Sequence, residues 1–226
     1  MSKAQNVLNF YLLTNILKNT IRQGMLDWNV QAERLESVAE HIYGVCMFAI
    51  AMDSEYDFNV DMEKVILMLA VHELEEVVIG DLTPRNNVPA DEKYTMGREA
   101  VSIMLGKLVK KEKYYQLSKE FDDRQTKDAL FAHFCDKLEH MVQVKIYEDA
   151  GHNDLFSDAN EDIRNDPKVQ EIMQQGARTI AEVFFANDKA QFEDTAFIEV
   201  LNQLKVTNTK EFLDAATSEF ARYRKY

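Results

Sequence analysis

One short stretch of the sequence combines imidazole and carboxylate side chains directly after an apolar run. His72 and Glu73 follow that run, and Glu76 comes shortly after them. Buried ionisable groups must pair, bind a metal or change their pKa values, because an unpaired charge moved out of water is costly. A divalent cation bound by His72 and Glu73 would compensate several of these groups together. Glu76 would then lie beside the cation and be free to handle protons.

Two further donors lie elsewhere in the chain. His41 directly follows Glu40, and Asp136 follows Cys135 in an otherwise apolar stretch. Two imidazoles and two carboxylates form a ligand set that suits a first-row divalent metal, with open positions for water and a phosphate oxygen. Each residue also has a purely structural interpretation, since a lone histidine is commonly part of a core and Asp136 could pair with Lys137.

Helical spacing of apolar residues predicts the elements that would position these donors. A helix is predicted over about 37–53, where Ser37 and Glu40 form a capping box at its start. A second helix is predicted from Asp61 to the residues before Gly80, and it should be central because it is apolar nearly all round. A third is predicted over 128–147, with this inward face: Leu130, Phe131, Phe134, Leu138, Met141 and Val142.

The same spacing predicts helices in the rest of the chain. Asp91 is a candidate cap after a loop rich in proline and asparagine, and Pro167 suits a first helical position. The helices are expected at about 91–109 and 167–185, with two more from 194 onward, and 107–113 is expected to be a solvated helix end. The sequence therefore predicts an all-α fold. No linker divides it, so residues 1–226 are expected to form a single-domain helical bundle.

Composition excludes several classes of function. The 26 basic against 39 acidic residues give a net charge of -13, which would repel a nucleic-acid polymer or an anionic membrane surface. A small phosphate-bearing substrate would need a local cation. The two cysteines, Cys46 and Cys135, suit a reducing compartment, and the longest apolar run, 65–71, is too short to span a membrane. We therefore expect a cytoplasmic protein with no membrane partner.

Two motifs resemble a known family. Residues 36–41 read Glu-Ser-Val-Ala-Glu-His, and residues 72–82 read His-Glu-Leu-Glu-Glu-Val-Val-Ile-Gly-Asp-Leu. Followed later by Asp136, they resemble the HD superfamily of metal-dependent phosphohydrolases. Within it they are similar to the bacterial and eukaryotic 5′-deoxynucleotidases, which carry Glu-Ser-Val-Ala-Glu/Asp-His and His-Asp-x-x-Glu-x-x-x-Gly-Asp. The resemblance covers about 18–148, which would be the metal-site core, with C-terminal helices at 167–226 packed on it.

The resemblance implies a helical bundle of the HD type that removes phosphate from deoxynucleoside 5′-monophosphates. It implies one divalent transition-metal ion per chain, of the cobalt or manganese type, held by these residues: His41, His72, Glu73 and Asp136. By the same resemblance, Glu76 is the acid–base group, Asp81 lies near the nucleophilic water or the sugar, and Arg22 binds the phosphate. A homodimer is also implied, and an aromatic-rich tail could supply part of its interface: Phe212, Phe220, Tyr223 and Tyr226.

One residue departs from the family pattern. Glu73 occupies the position of the family's aspartate, and its extra methylene must move either the carboxylate or the ion. A second hypothesis follows, in which the chain is a weak or inactive member that binds metal or nucleotide as a sensor. A third is a helical interaction protein without a metal. Hydrolases of guanosine tetraphosphate in the superfamily carry a second acid directly after the motif's glutamate, where this chain has Val77. Binuclear phosphodiesterases need additional histidines between the second and last ligands, and only His133 is available there, so one metal is expected.

Overall fold

The computed structural model describes residues 2–188, 192 and 194–223. Over these residues the chain is helical and has no strand, and one isolated bridge joins Ile21 to Ser37. The predicted all-α fold is therefore confirmed. The α-helices of the described part are α1 (Lys3–Thr14), α2 (Gln23–Asp27), α3 (Val38–Glu55), α4 (Met62–Leu69), α5 (Glu76–Ile79), α6 (Ala90–Leu105), α7 (Lys111–Asp123), α8 (Lys127–Asp149), α9 (Glu161–Arg164), α10 (Pro167–Gln174), α11 (Ile180–Asp188), α12 (Thr195–Val206) and α13 (Thr209–Ala221).

The helices form two compact units. One unit runs to Asp27 and continues over Arg34–Glu139, and the other comprises Trp28–Glu33 and the chain from His140 onward. Helix α8 contributes residues to both. None of the described helices is both long enough and apolar enough to cross a membrane. The expectation of a single domain, with the C-terminal helices packed on the core, stays a prediction.

Helix α3 forms as the sequence predicts. Ser37 is its N-cap, the Ser37 side chain accepts a hydrogen bond from the Glu40 backbone, and the Glu40 side chain accepts one from the Ser37 backbone. These bonds satisfy amides that the first turn of a helix leaves unpaired. The buried residues of α3 recur every three or four positions: Val38, His41, Val45, Ala49 and Met52. His41 therefore points into the core of the first unit.

The predicted helix from Asp61 to Gly80 is interrupted. Asp61 caps α4 as expected and Gly80 has a φ of 74°, but α4 ends at Leu69, and residues 70–75 form a turn before α5. The His72 imidazole donates to the Leu69 carbonyl, which the next helical turn would otherwise use. Helix α4 is also not buried on all sides, because Leu67 is exposed.

Packing in the first unit fixes the turn at residues 70–75. Helix α3 packs on α4, α4 packs on α7, and α6 packs on both α5 and α7. Leu74, on the turn itself, is buried with three residues of α6: Val101, Met104 and Leu105. Burial of one such side chain contributes about 1.5–3 kcal/mol. Leu74 thus anchors the segment that carries His72 and Glu73.

Several other predicted boundaries differ from the structure. Pro89, not Asp91, is the N-cap of α6, and the segment 107–113 contains a turn and the start of α7, a helix that was not predicted. Helix α8 is confirmed, although Leu130 is exposed rather than inward. The helix expected over 167–185 is two helices, α10 and α11, because Gly176 adopts a left-handed φ of 117° between them. The two final helices are confirmed.

Candidate metal centre

Four of the predicted ligands converge in the first unit. His41 comes from α3 and Asp136 from α8, while His72 and Glu73 come from the turn after α4. One ligand atom from each of them lies within 4.8 Å of the others. Three separate parts of the sequence supply these residues, and contacts of α3 with α4 and with α8 bring them together. Such a group can hold a metal ion.

His72 is oriented by the main chain. Its Nδ1 atom donates a hydrogen bond to the Leu69 carbonyl at 2.6 Å, so in the neutral imidazole the Nε2 atom carries the lone pair. Nε2 is buried, has no hydrogen-bond partner among the described residues, and lies 3.5 Å from Glu73 Oε1 and 4.0 Å from Asp136 Oδ1. A buried nitrogen lone pair facing two carboxylates fits a bound divalent cation.

His41 is fully buried and lies between two carboxylates. Its Nε2 atom lies 2.9 Å from Asp136 Oδ1, and its Nδ1 atom lies 2.6 Å from Glu139 Oε2. Burial and the charge of Arg22 lower the pKa of His41, but the hydrogen bonds with the two carboxylates outweigh them and raise it to about 9. In the metal-free chain both ring nitrogens therefore donate at neutral pH.

The two carboxylates of the group are held in their charged form. Burial disfavours the anion of Asp136, but the hydrogen bond from His41 and the charge of Lys137 hold its pKa well below the usual range. Burial likewise acts against ionised Glu73, yet His72 and Arg22 lower its pKa. Two anions and two imidazoles form a mixed oxygen and nitrogen donor set, which suits first-row transition metals.

Arg22 lies beside the group. Its backbone amide donates to the Glu36 carbonyl at 3.0 Å, which fixes the segment next to the start of α3. Its Nη1 atom lies 3.3 Å from Glu73 Oε1, and its Nε atom lies 4.0 Å from Asp81 Oδ2. Burial acts to lower the pKa of Arg22, but the surrounding carboxylates raise it, so the guanidinium is charged.

Asp81 and Glu76 lie outside the group of four ligands. Asp81 accepts a 2.7 Å hydrogen bond from the Gln23 backbone and so supports the segment that carries Arg22. Glu76 begins α5 and is buried. Burial, followed by the charges of Glu73 and Asp81, raises the pKa of Glu76 to about 11. In the metal-free chain, Glu76 therefore holds a proton at neutral pH.

His133, Glu75 and Trp28 lie outside the group of four proposed ligands. His133 Nδ1 lies 4.0 Å from Asp136 Oδ2, too far for a hydrogen bond, and burial lowers the pKa of His133 to about 4. Glu75 lies against Gly97 of α6 and is not one of the four. Trp28 belongs to the second unit, where its ring packs on Phe184 with centroids 4.8 Å apart.

Two contributors to the site were not identified from the sequence. Glu139 hydrogen-bonds to His41, and Gly44 lies directly against the Glu139 carboxylate. The spacing offers a signal for one of them, because Glu139 comes three residues after Asp136 and so shares a face of α8 with it. Gly44 gives no such signal, since its role depends on a contact between two helices.

Comparisons with known proteins identify the family of this chain. The HD domain family model matches residues 14–177. The 5′-deoxynucleotidase HDDC2 of Homo sapiens is 28% identical over 179 residues, which cover 76% of this chain and 85% of that protein. The 5′-deoxynucleotidase HDDC2 of Dictyostelium discoideum is 32% identical over 155 residues, which cover 65% of this chain and 80% of that protein.

A solved structure has the same fold. The conserved hypothetical protein from Pyrococcus furiosus superposes with a TM-score of 0.63 at 20% identity, over 88% of this chain and 99% of that one. The family model spans more than half of the sequence and includes all four residues of the candidate metal centre. The chain belongs to the HD domain family, as its two motifs implied.

Proposed function

We propose that this chain is a metal-dependent phosphohydrolase that acts as a 5′-deoxynucleotidase. It removes phosphate from deoxynucleoside 5′-monophosphates and uses one divalent ion of the cobalt or manganese type. The observation that carries the proposal is the convergence of four ligand atoms within 4.8 Å of one another, next to a charged arginine. The relatives named 5′-deoxynucleotidases support the choice of substrate class.

The residues that would hold the ion are His41, His72, Glu73 and Asp136. A bound divalent ion supplies a nucleophile by lowering the pKa of water and polarises a phosphoryl oxygen. Both imidazoles are aimed by hydrogen bonds from their Nδ1 atoms, so their Nε2 atoms face the two carboxylates. A cation held there would offset the negative charge of the protein, which would otherwise repel a phosphate ester.

Arg22 and Glu76 act on the substrate. The planar guanidinium of Arg22 offers paired donors to phosphate oxygens, and its position against Glu73 keeps it next to the ion site. In hydrolysis, water attacks phosphorus and the bond from phosphorus to the 5′-oxygen breaks. The leaving 5′-oxygen takes up a proton from the Glu76 carboxyl, and the resulting carboxylate takes up the proton that the attacking water loses. Asp81 accepts a hydrogen bond from the Gln23 backbone beside Arg22 and is proposed to lie near the nucleophilic water or the sugar.

The chain is further proposed to act as a cytoplasmic homodimer. Its two free thiols, Cys46 and Cys135, suit a reducing compartment. Apolar residues are exposed along α1 and in the helical turn that follows it, and they support an interface between copies: Leu8, Tyr11, Leu12 and Ile16. The tail aromatics Phe212, Phe220 and Tyr223 are also exposed, while Tyr226 lies outside the described residues. Light scattering after size exclusion tests the dimer.

Phosphate release from a panel of nucleoside 5′-monophosphates tests the activity. The protein is stripped with a chelator and reloaded with cobalt, manganese or magnesium. We expect release from deoxynucleoside 5′-monophosphates with cobalt or manganese, and background rates after chelation. Release that persists at the same rate in the stripped protein, or no release with any metal and any substrate, contradicts the proposal.

A second candidate function is a sensor that binds metal or nucleotide without rapid turnover. The glutamate at position 73 favours it, because a carboxylate displaced by about 1 Å can reduce a rate on the order of a hundredfold. Rapid turnover by the wild-type chain in the same panel would exclude this candidate. The third hypothesis, an interaction protein without metal, is excluded if the reloaded chain retains about one ion.

A further inference from the structure

We propose that Glu139 is a positioning residue of the metal centre and that Gly44 provides the space for its carboxylate. Glu139 holds the His41 imidazole so that Nε2 faces the cation. The inference rests on the proposed function, because it concerns the same site. It adds a pair of residues, one on α8 and one on α3, that do not touch the ion themselves.

The contact between Glu139 and His41 determines which nitrogen can bind a cation. His41 Nδ1 lies 2.6 Å from Glu139 Oε2 inside the first unit, and both side chains are buried. A neutral imidazole donates from only one nitrogen, and an ionised carboxylate can only accept. His41 Nε2 contacts a second carboxylate, Asp136, at 2.9 Å. Where Asp136 binds a cation instead, Glu139 keeps the remaining proton on Nδ1 and leaves the lone pair of Nε2 for the metal.

The two histidines of the centre are positioned by different acceptors. His72 donates to the neutral backbone carbonyl of Leu69, whereas His41 donates to a carboxylate. A charged acceptor forms the stronger hydrogen bond and makes the imidazole a more basic ligand. His41 should therefore depend on its partner more strongly than a histidine positioned by the main chain.

Gly44 lies where a larger residue would displace this carboxylate. It follows His41 by three residues, so both face the same side of α3. A Cβ atom at position 44 would lie 2.3 Å from Glu139 Oε1, 3.0 Å from its Cδ and 3.3 Å from its Cγ. Alanine is a better helix former than glycine, so local propensity disfavours glycine here. The need for space next to Glu139 explains why position 44 is a glycine.

The variants Gly44→Ala and Glu139→Gln test the inference without changing any proposed ligand. Gly97→Ala is the matched control, because a Cβ at that position of α6 meets only ordinary contacts, the nearest being Glu75 Cγ at 3.8 Å. Cobalt affinity of each stripped protein is measured by competition with a chelator. Changing a residue that orients a metal ligand typically weakens metal binding about 10- to 100-fold. We expect that loss for Gly44→Ala and Glu139→Gln, and none for Gly97→Ala.

Two further readouts separate positioning from a general loss of structure. The midpoint of thermal unfolding of stripped Gly44→Ala should not fall in proportion to its loss of cobalt affinity. Alanine favours the helix, and the atoms it displaces are at the end of the flexible Glu139 side chain. In zinc-loaded protein labelled with ¹⁵N-histidine, the Nδ1 proton of His41 should exchange with solvent faster in Gly44→Ala than in Gly97→Ala.

The outcomes distinguish this inference from the proposed function. A wild-type chain that retains no cobalt contradicts the proposed metal site itself. If the wild type binds cobalt and either Gly44→Ala or Glu139→Gln binds it within about threefold of wild type, well short of the expected loss, only the role of Glu139 and Gly44 is overturned.

Discussion

His41 Nε2 and Asp136 Oδ1 lie 2.9 Å apart, although 95 residues separate them in the sequence. The contact joins α3 to α8 inside the first unit, and it pairs two of the proposed metal ligands directly. In the metal-free chain it holds Asp136 as an anion and favours a charged His41. One hydrogen bond thus fixes two of the four proposed donor groups relative to each other.

Replacing Asp136 with alanine should abolish metal retention. The change removes one of the two carboxylates of the group and leaves His41 Nε2 without its partner. Elemental analysis after gel filtration should give about one cobalt ion per wild-type chain and background in Asp136→Ala. Asp53→Ala is the control, because Asp53 is exposed on α3, and it should retain the ion as wild type does. Equal retention by Asp136→Ala would remove this residue from the ligand set.

Replacing Glu76 with glutamine should stop turnover and spare metal binding. Glu76 lies outside the group of four ligands, and burial keeps its carboxyl protonated in the metal-free chain. Loss of a group that transfers a proton in the transition state typically lowers the rate about 100- to 10,000-fold. We expect kcat to fall within that range while cobalt occupancy is unchanged.

Glu75→Gln is the neighbouring control for Glu76. Glu75 lies against α6 rather than in the ligand group, so kcat should remain close to that of wild type. If Glu76→Gln leaves the rate intact, or if Glu75→Gln is the variant that stops turnover, the assigned role of Glu76 is wrong.

Replacing Arg22 with glutamine should weaken substrate binding without weakening metal binding. Hydrogen bonds to charged groups contribute about 1.5–3 kcal/mol, so KM for a deoxynucleoside 5′-monophosphate should rise about 10- to 100-fold. The guanidinium lies 3.3 Å from Glu73 and opposes a nearby cation, so cobalt affinity should stay equal or increase. Steady-state kinetics and chelator competition measure the two effects, and a loss of cobalt affinity would show that Arg22 supports the ligands instead.

Local signals account for the parts of the fold that could be predicted. The capping box of Ser37 and Glu40 and the periodic burial along α3 depend on neighbouring residues, so the sequence reveals them. The turn at residues 70–75 depends on a bond from the His72 side chain and on the burial of Leu74 against α6. The spacing of apolar residues carries no signal for either contact, so it predicts one long helix through this segment.

The candidate site also has a part that the sequence predicts and a part that it does not. Motif resemblance implies the four proposed ligands, and the structure brings them together. The contact of Glu139 with Gly44 is between α8 and α3. No pattern within either helix predicts this contact, because the need for glycine at position 44 comes only from atoms of the other helix.

Replacing Glu73 with aspartate distinguishes the enzyme from the sensor. The shorter side chain withdraws the carboxylate by about 1.5 Å from His72 Nε2, which lies 3.5 Å from Glu73 Oε1. If the site is built around glutamate, Glu73→Asp should lower kcat/KM by about 100-fold. Glu63→Asp, exposed on α4, is the control and should have no effect. A gain of activity in Glu73→Asp would favour the sensor hypothesis.

Replacing Asp149 with asparagine should destabilise the second unit in a pH-dependent way. The Asp149 carboxylate accepts hydrogen bonds from the Thr209 amide and hydroxyl, both at 2.8 Å, and from Lys145. Burial opposes its ionisation, but these donors lower its pKa. Because the folded pKa is below that of the unfolded chain, the stabilisation is present above about pH 4 and is lost as the pH falls through the folded pKa.

The measurement is the thermal midpoint of Asp149→Asn against wild type from pH 7 to pH 3. A loss of about 1–2 kcal/mol of stabilisation from these hydrogen bonds should lower the midpoint by about 2–8 °C at pH 7, and the difference should shrink toward pH 3. Asp214→Asn is the matched control, since Asp214 pairs with Lys210 at the same four-residue spacing on an exposed face. An exposed pair contributes little, so its midpoint should match wild type throughout. A difference between Asp149→Asn and wild type that does not change with pH would show that the charge of Asp149 is not what stabilises the contact with Thr209.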